Sequence, residues 1–112
     1  MITKKILCTP VTFGGSTEKG KPYSNFKEVI KSELKEHIDN EINLKIELFI
    51  EQSRIKEGKN DLDNFLKPII DSLDESNTIN TESQISSIFI KRNKVTDKKE
   101  EGVIIEINPV QT

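Results

Sequence analysis

The apolar residues of this chain fall into blocks separated by polar turns, and the period changes from block to block. Ile42, Leu44, Ile46, Leu48 and Ile50 alternate with Asn43, Lys45 and Glu47, with Phe49 out of pattern. Period two predicts a strand with one buried face. From Tyr23 to Asp39, Phe26, Val29, Ile30, Leu34 and Ile38 recur at helical spacing, with Ser24 or Asn25 as N-cap. From Asp61 to Leu73, Leu62, Phe65, Leu66, Ile69, Ile70 and Leu73 fall at i, i+3, i+4, i+7, i+8 and i+11, which is a second amphipathic helix. Pro68 lies inside it and removes the donor that the Asn64 carbonyl would use, so a kink, or a helix starting near Pro68, is expected.

Three further blocks read as strands. Lys4 to Phe13 mixes apolar and β-branched residues before the loop signal Gly14-Gly15-Ser16. Ile85, Ile88, Phe89 and Ile90 form another strand and Val103 to Ile107 the last. The charged stretch from Arg92 to Gly102 between them predicts a hairpin with a long tip. The whole is expected to be one domain spanning residues 1–112, in the order β-α-β-α-β-β: a mixed sheet of about four strands with two helices packed on it, of the α/β (α+β) class.

Composition narrows the picture. Hydrophobic residues make up 33% and charged residues 32% of the 112 positions, with no Trp, so the core must be built from Ile, Leu and Val. A core that lean favours support from a second subunit. The single cysteine, Cys8, rules out an internal disulfide, and the start MITKKILCTP lacks the apolar stretch of a signal peptide. No window holds the roughly 20 apolar residues of a membrane span. These features predict a cytoplasmic protein with no membrane partner. A net charge of −2 excludes a uniformly basic nucleic-acid coat but not a local patch.

The candidate chemistry gathers at the start of the second helix. Asp61, Asp63, Asn64, Lys67 and Asp71 cluster there, and Asp63, Lys67 and Asp71 are four apart on the face opposite the leucines and isoleucines. Mg²⁺ takes hard oxygen ligands, commonly one or two carboxylates with substrate phosphate, and phosphodiester hydrolysis needs a cation near the charge that develops. Spacing alone favours a plainer reading, in which Asp61 caps the helix, Asp63 meets its dipole and Lys67 pairs with Asp71.

The segment Asp61-Leu62-Asp63-Asn64-Phe65-Leu66-Lys67-Pro68-Ile69-Ile70-Asp71-Ser72-Leu73 resembles the D-[L/I]-D-N-x-x-K-x-x-x-D-x-L signature of the RusA family of Holliday-junction resolvases. The likeness continues to Glu82-Ser83-Gln84, where family members carry an acidic pair followed one residue later by glutamine. It implies that Asp61, Asp63 and Glu82 bind Mg²⁺, with Mn²⁺ as a substitute, and that Lys67 stabilises the attacked phosphate or the leaving oxygen. Asn64 and Asp71 would orient those groups. It further implies a homodimer that resolves four-way junction DNA by paired symmetric nicks in recombination and repair, encoded by a bacterium or phage. One departure stands out: the acidic pair is here Thr81-Glu82.

Lys19, Lys21, Lys56, Lys59, Lys91, Arg92 and Lys94 are candidate DNA contacts, although surface lysines are usually only solvated. Lys98-Lys99-Glu100-Glu101 reads as a solubilising mixed run at the hairpin tip. His37 has no zinc-spaced partner and is expected to pack or face solvent. Asp61-x-Asp63 fails as a calcium loop because Leu66 stands where a glycine is required. Two rivals remain. One is a junction-binding protein of the same fold whose nuclease activity has decayed; the other is a structural or regulatory α/β protein with a merely capped helix.

Overall fold

The computed structural model describes residues 1–11, 21–55 and 62–110, with Lys21 described by its backbone alone. The expected loop at Gly14 to Ser16 lies outside the described residues, as do Lys19, Lys56, Lys59 and Asp61. The elements are β1 (Ile2–Leu7), α1 (Lys21–Glu33), β2 (Ile42–Glu51), α2 (Leu62–Glu75), β3 (Ile85–Val95) and β4 (Gly102–Pro109), the expected α+β order.

The four strands form one sheet in the order β1-β4-β2-β3. β2 runs parallel to β3, and β4 runs antiparallel to both β1 and β2. The expected β3–β4 hairpin is therefore not formed. The composition of the two strands explains why. Val103, Ile105 and Ile107 of β4 need cover that only a central position provides, whereas β3 carries Lys91, Arg92 and Lys94, charges that suit an edge. The segment between them crosses the end of β2 instead of turning back.

Each parallel connection, β1 to β2 and β2 to β3, passes through a helix, and the right-handed sense of such crossovers puts both helices on one face. There Ile42, Leu44, Ile46, Leu48 and Ile50 of β2 meet Tyr23, Phe26 and Ile30 of α1 and Phe65, Ile69 and Leu73 of α2 in a single core. Each large apolar side chain buried here contributes about 1.5–3 kcal/mol relative to exposure. The other face of the sheet carries Asn43, Lys45, Glu47 and Phe49. At its β1 end the backbones approach so closely that a Cβ on Gly102 would run into the Ile6 carbonyl, which accounts for glycine there.

The first helix is shorter than its periodicity predicts. α1 ends at Glu33, while Leu34 stays buried and Ile38 packs against the core from an irregular segment. Tertiary hydrogen bonds take the place of helical ones. The Ile38 N–H donates to the Thr78 carbonyl at 2.8 Å, and the carbonyls of Ile38 and Asn40 accept from Gln84 Nε2 at 2.8 and 3.1 Å. α2, by contrast, runs through Pro68, which is buried on its core side, so the helix starts six residues before the proline rather than at it. It closes in a Schellman turn: the Thr78 N–H reaches the Leu73 carbonyl and the Asn77 N–H that of Asp74, both at 3.0 Å, with Asn77 at φ 63°.

Candidate functional site

α2 positions the predicted residues by its pitch. Its buried stripe of Phe65, Ile69 and Leu73 turns Asp63, Lys67 and Asp71 outward. Lys67 Nζ donates to Asp71 Oδ1 at 3.0 Å, with side chains 48% and 20% exposed. The Asp71 carboxylate holds the ammonium above the usual lysine range, with the charge of Glu82 a smaller contribution to the same effect. Lys67, Asp71 and Glu82 thus share one electrostatic neighbourhood, although Glu82 follows α2 by seven residues.

Tyr23, in the first turn of α1, joins this group. Its phenol is pushed up first by burial and then by the charge of Asp71, to which it hydrogen-bonds, while Lys67 opposes the shift. Asp71 is therefore held between a phenol and an ammonium. Sequence reasoning missed Tyr23. The available signal was that it is the only tyrosine and begins the apolar face of α1.

Glu82 is set by a short 3₁₀ turn, Glu82–Gln84, whose Thr81 cap bonds the Ser83 N–H while Gln84 reaches back to the cap. Gln84 is buried. Its Oε1 accepts from the Asn80 and Thr81 N–H groups at 2.5 and 3.1 Å, and its amide clamps the Ile38 and Asn40 carbonyls. The Thr81 hydroxyl, at the position of the missing acid, is thus committed to holding the turn. The Asp63 and Glu82 carboxylates are both exposed, as hard-cation ligands with room for a substrate phosphate need to be. Asn64 is half-buried in the first turn of α2. Among the described residues no group of three or more His, Cys, Asp or Glu stands ready to hold a metal ion; Asp61, the remaining member of the expected set, lies outside them.

Of the candidate DNA contacts, Lys91 and Lys94 are exposed on β3 and Arg92 is half-buried there. Lys27 and Lys31 of α1 are taken up by Glu75, at 2.6 and 3.0 Å, and hold that carboxylate below its usual range. His37 is exposed, with Nδ1 against the Asn77 carbonyl at 2.5 Å and Nε2 against Asp39 at 2.9 Å.

The charged run at residues 98–101 needs correction. Glu101 is buried, its side chain 1% exposed, and its Oε2 accepts from Arg54 Nε and from the Glu51 N–H, both at 2.8 Å. Oε1 is buried and has no hydrogen-bond partner among the described residues. Arg54 also donates to the Pro10 carbonyl at 3.0 Å. This cluster joins the ends of β1 and β2 to the start of β4. Beside it the Cys8 thiol is pushed up to about 12, mainly by burial and then by Glu101, so it is inert as a nucleophile.

Among protein families, endodeoxyribonuclease RusA matches residues 12–108, which takes in α1, both halves of the candidate site and all of β2 to β3. The chain belongs to the RusA family. A search of curated proteins finds no match. Membership of the RusA family supports a DNA endonuclease. Among the described residues no helix is long and apolar enough to cross a membrane.

Proposed function

We propose that the chain is a Mg²⁺-dependent endodeoxyribonuclease that acts as a homodimer and resolves four-way DNA junctions by paired symmetric nicks. The observation that carries this reading is the Lys67–Asp71–Tyr23 cluster with Glu82 in its field, on the helix that also bears Asp63. Asp61, Asp63 and Glu82 would hold the cation. When bound, it polarises the scissile phosphate and lowers the cost of generating hydroxide. Lys67, kept protonated by Asp71, offsets negative charge on the phosphate as the transition state forms. Asp71, braced by Tyr23, fixes where that ammonium stands. A two-fold dimer would present two such sites to opposed strands, so paired incision follows from symmetry.

A second reading, junction binding without cleavage, is favoured by one observation: Thr81 stands where the family carries an acid, and its hydroxyl caps a turn. One experiment separates the two. A labelled four-way junction and a matched linear duplex are incubated with Mg²⁺, Mn²⁺ or chelator, using the wild type and Asp63→Asn. The nuclease reading expects metal-dependent symmetric nicks in the junction, absent in Asp63→Asn. Tight junction binding with no cutting in either metal would establish the decayed form, and neither binding nor cutting would sink both.

A further inference from the structure

β3 is an edge strand with an unusual composition. From Ile85 to Val95 it contains no acid and three cations, Lys91, Arg92 and Lys94. Its pairing with β2 puts Phe89 beside Lys45, between the buried Leu44 and Ile46 rows that face the helices. Phe89 therefore projects from the face that the helices leave bare, and it is 54% exposed. Ser87 and Lys91 flank it on the same face at the two-residue period of a strand, and Lys45 Nζ stands 5.8 Å from its ring centroid.

An open aromatic ring among cations, on a strand without acids, has the chemistry of a single-stranded nucleic-acid platform, where a base stacks on the ring and ammonium groups meet the flanking phosphates. We propose that Phe89 stacks an unpaired DNA base, with Lys45 and Lys91 receiving the phosphates on either side. The footprint is confined to the outer edge of the sheet: Glu47 lies in register with Lys91, and Glu106 with Lys45. Arg92 and Lys94 emerge on the opposite face of the same strand, so a DNA strand passing over the edge meets cations on both sides. Phe89 lies about 13 Å along β3 from its start, which follows Glu82 by three residues. This inference rests on the reading of the protein as a DNA endonuclease. It adds that a base unpaired at the branch point is gripped on a surface distinct from the cluster around Lys67.

The test is binding without cleavage. Anisotropy of labelled oligothymidylate and of a four-way junction is measured in chelator for the wild type, Phe89→Leu and Phe89→Trp, with sedimentation velocity on each. The expected result is about tenfold weaker oligothymidylate binding by Phe89→Leu. Phe89→Trp should retain affinity and lose indole fluorescence on binding, a clean signal because the chain has no other Trp. Equal affinity of wild type and Phe89→Leu, or an unquenched indole, would overturn the platform and leave the nuclease reading standing. Loss of affinity that tracks dissociation of a dimer would also overturn it, by showing that Phe89 is covered by a second copy. A wild type that binds no DNA at all would remove both readings.

Discussion

Two ion pairs in this molecule have opposite characters. Lys67–Asp71 lies one helical turn apart on α2, with Lys67 half exposed, whereas Arg54–Glu101 joins residues 47 apart with the carboxylate sealed from water. An exposed pair is worth little to stability because water screens it and long side chains lose entropy in forming it. Its groups also stay reachable, which the phosphate contact proposed for Lys67 requires. The buried pair is the reverse: desolvation offsets much of its Coulombic gain, yet losing one member strands a charge in a medium that cannot solvate it. The difference teaches that accessibility, more than the presence of a charge pair, separates a reactive group from a structural one.

The largest expected effect tests the exposed side of this contrast. Lys67→Ala should lower turnover on a four-way junction about a hundred- to a thousandfold, or about 2.7–4 kcal/mol of transition-state stabilisation. Its denaturant midpoint should shift by less than about 0.5 kcal/mol of stability. Junction affinity that falls in parallel with turnover would mean that Lys67 only binds. The next effect tests the buried side. Arg54→Ala should cost about 3 kcal/mol in urea unfolding, the low end for a broken buried pair because Arg54 is itself 33% exposed. Arg54→Met with Glu101→Leu should recover most of that loss, and a double variant as unstable as the single one would show that packing, not charge, is responsible.

The smallest effect sharpens the boundary between the two classes. The His37 imidazolium is favoured first by the Asn77 carbonyl and then by Asp39, which raises its pKa above the ordinary 6.5. Its contribution to stability is therefore complete below about 6.5 and lost as pH rises through the raised value. Asp39 is lowered from 3.8, first by Asn80 and then by His37, so its contribution is present above 3.8 and lost as pH falls through the lowered value. Urea midpoints of the wild type should decline slightly from pH 6 toward pH 8 and those of His37→Asn should not. Identical slopes would leave this exposed pair with no energetic role.

Local pattern made some of this legible and non-local partners concealed the rest. β2 was readable because one face is buried and the other is not, so burial alternates with the residue number. α2 was readable for the same reason at a period of 3.6, and Pro68 did not break it because the proline itself packs into the core. Ile38 keeps helical spacing without a helix, since the groups that claim its backbone come from Thr78 and Gln84, far along the chain. Neighbouring sequence likewise made Glu101 look like part of a solvated run, because Arg54 is invisible to any local window. In the candidate site, the Lys67–Asp71 spacing was legible and the bond from Tyr23 was not, since it depends on how α1 packs on α2.

The strand order has a consequence for the way the sheet is joined. β1 precedes β2, β3 and β4 in the chain, yet among the described residues its one neighbour in the sheet is β4. β2 and β3, joined through α2, pair without β4, whereas β1 reaches the sheet only through β4, which lies between β1 and β2. Without β4, β1 and β2 would each present an open edge where the folded sheet has a seam, which makes β4 the strand that turns two separate pieces into one sheet.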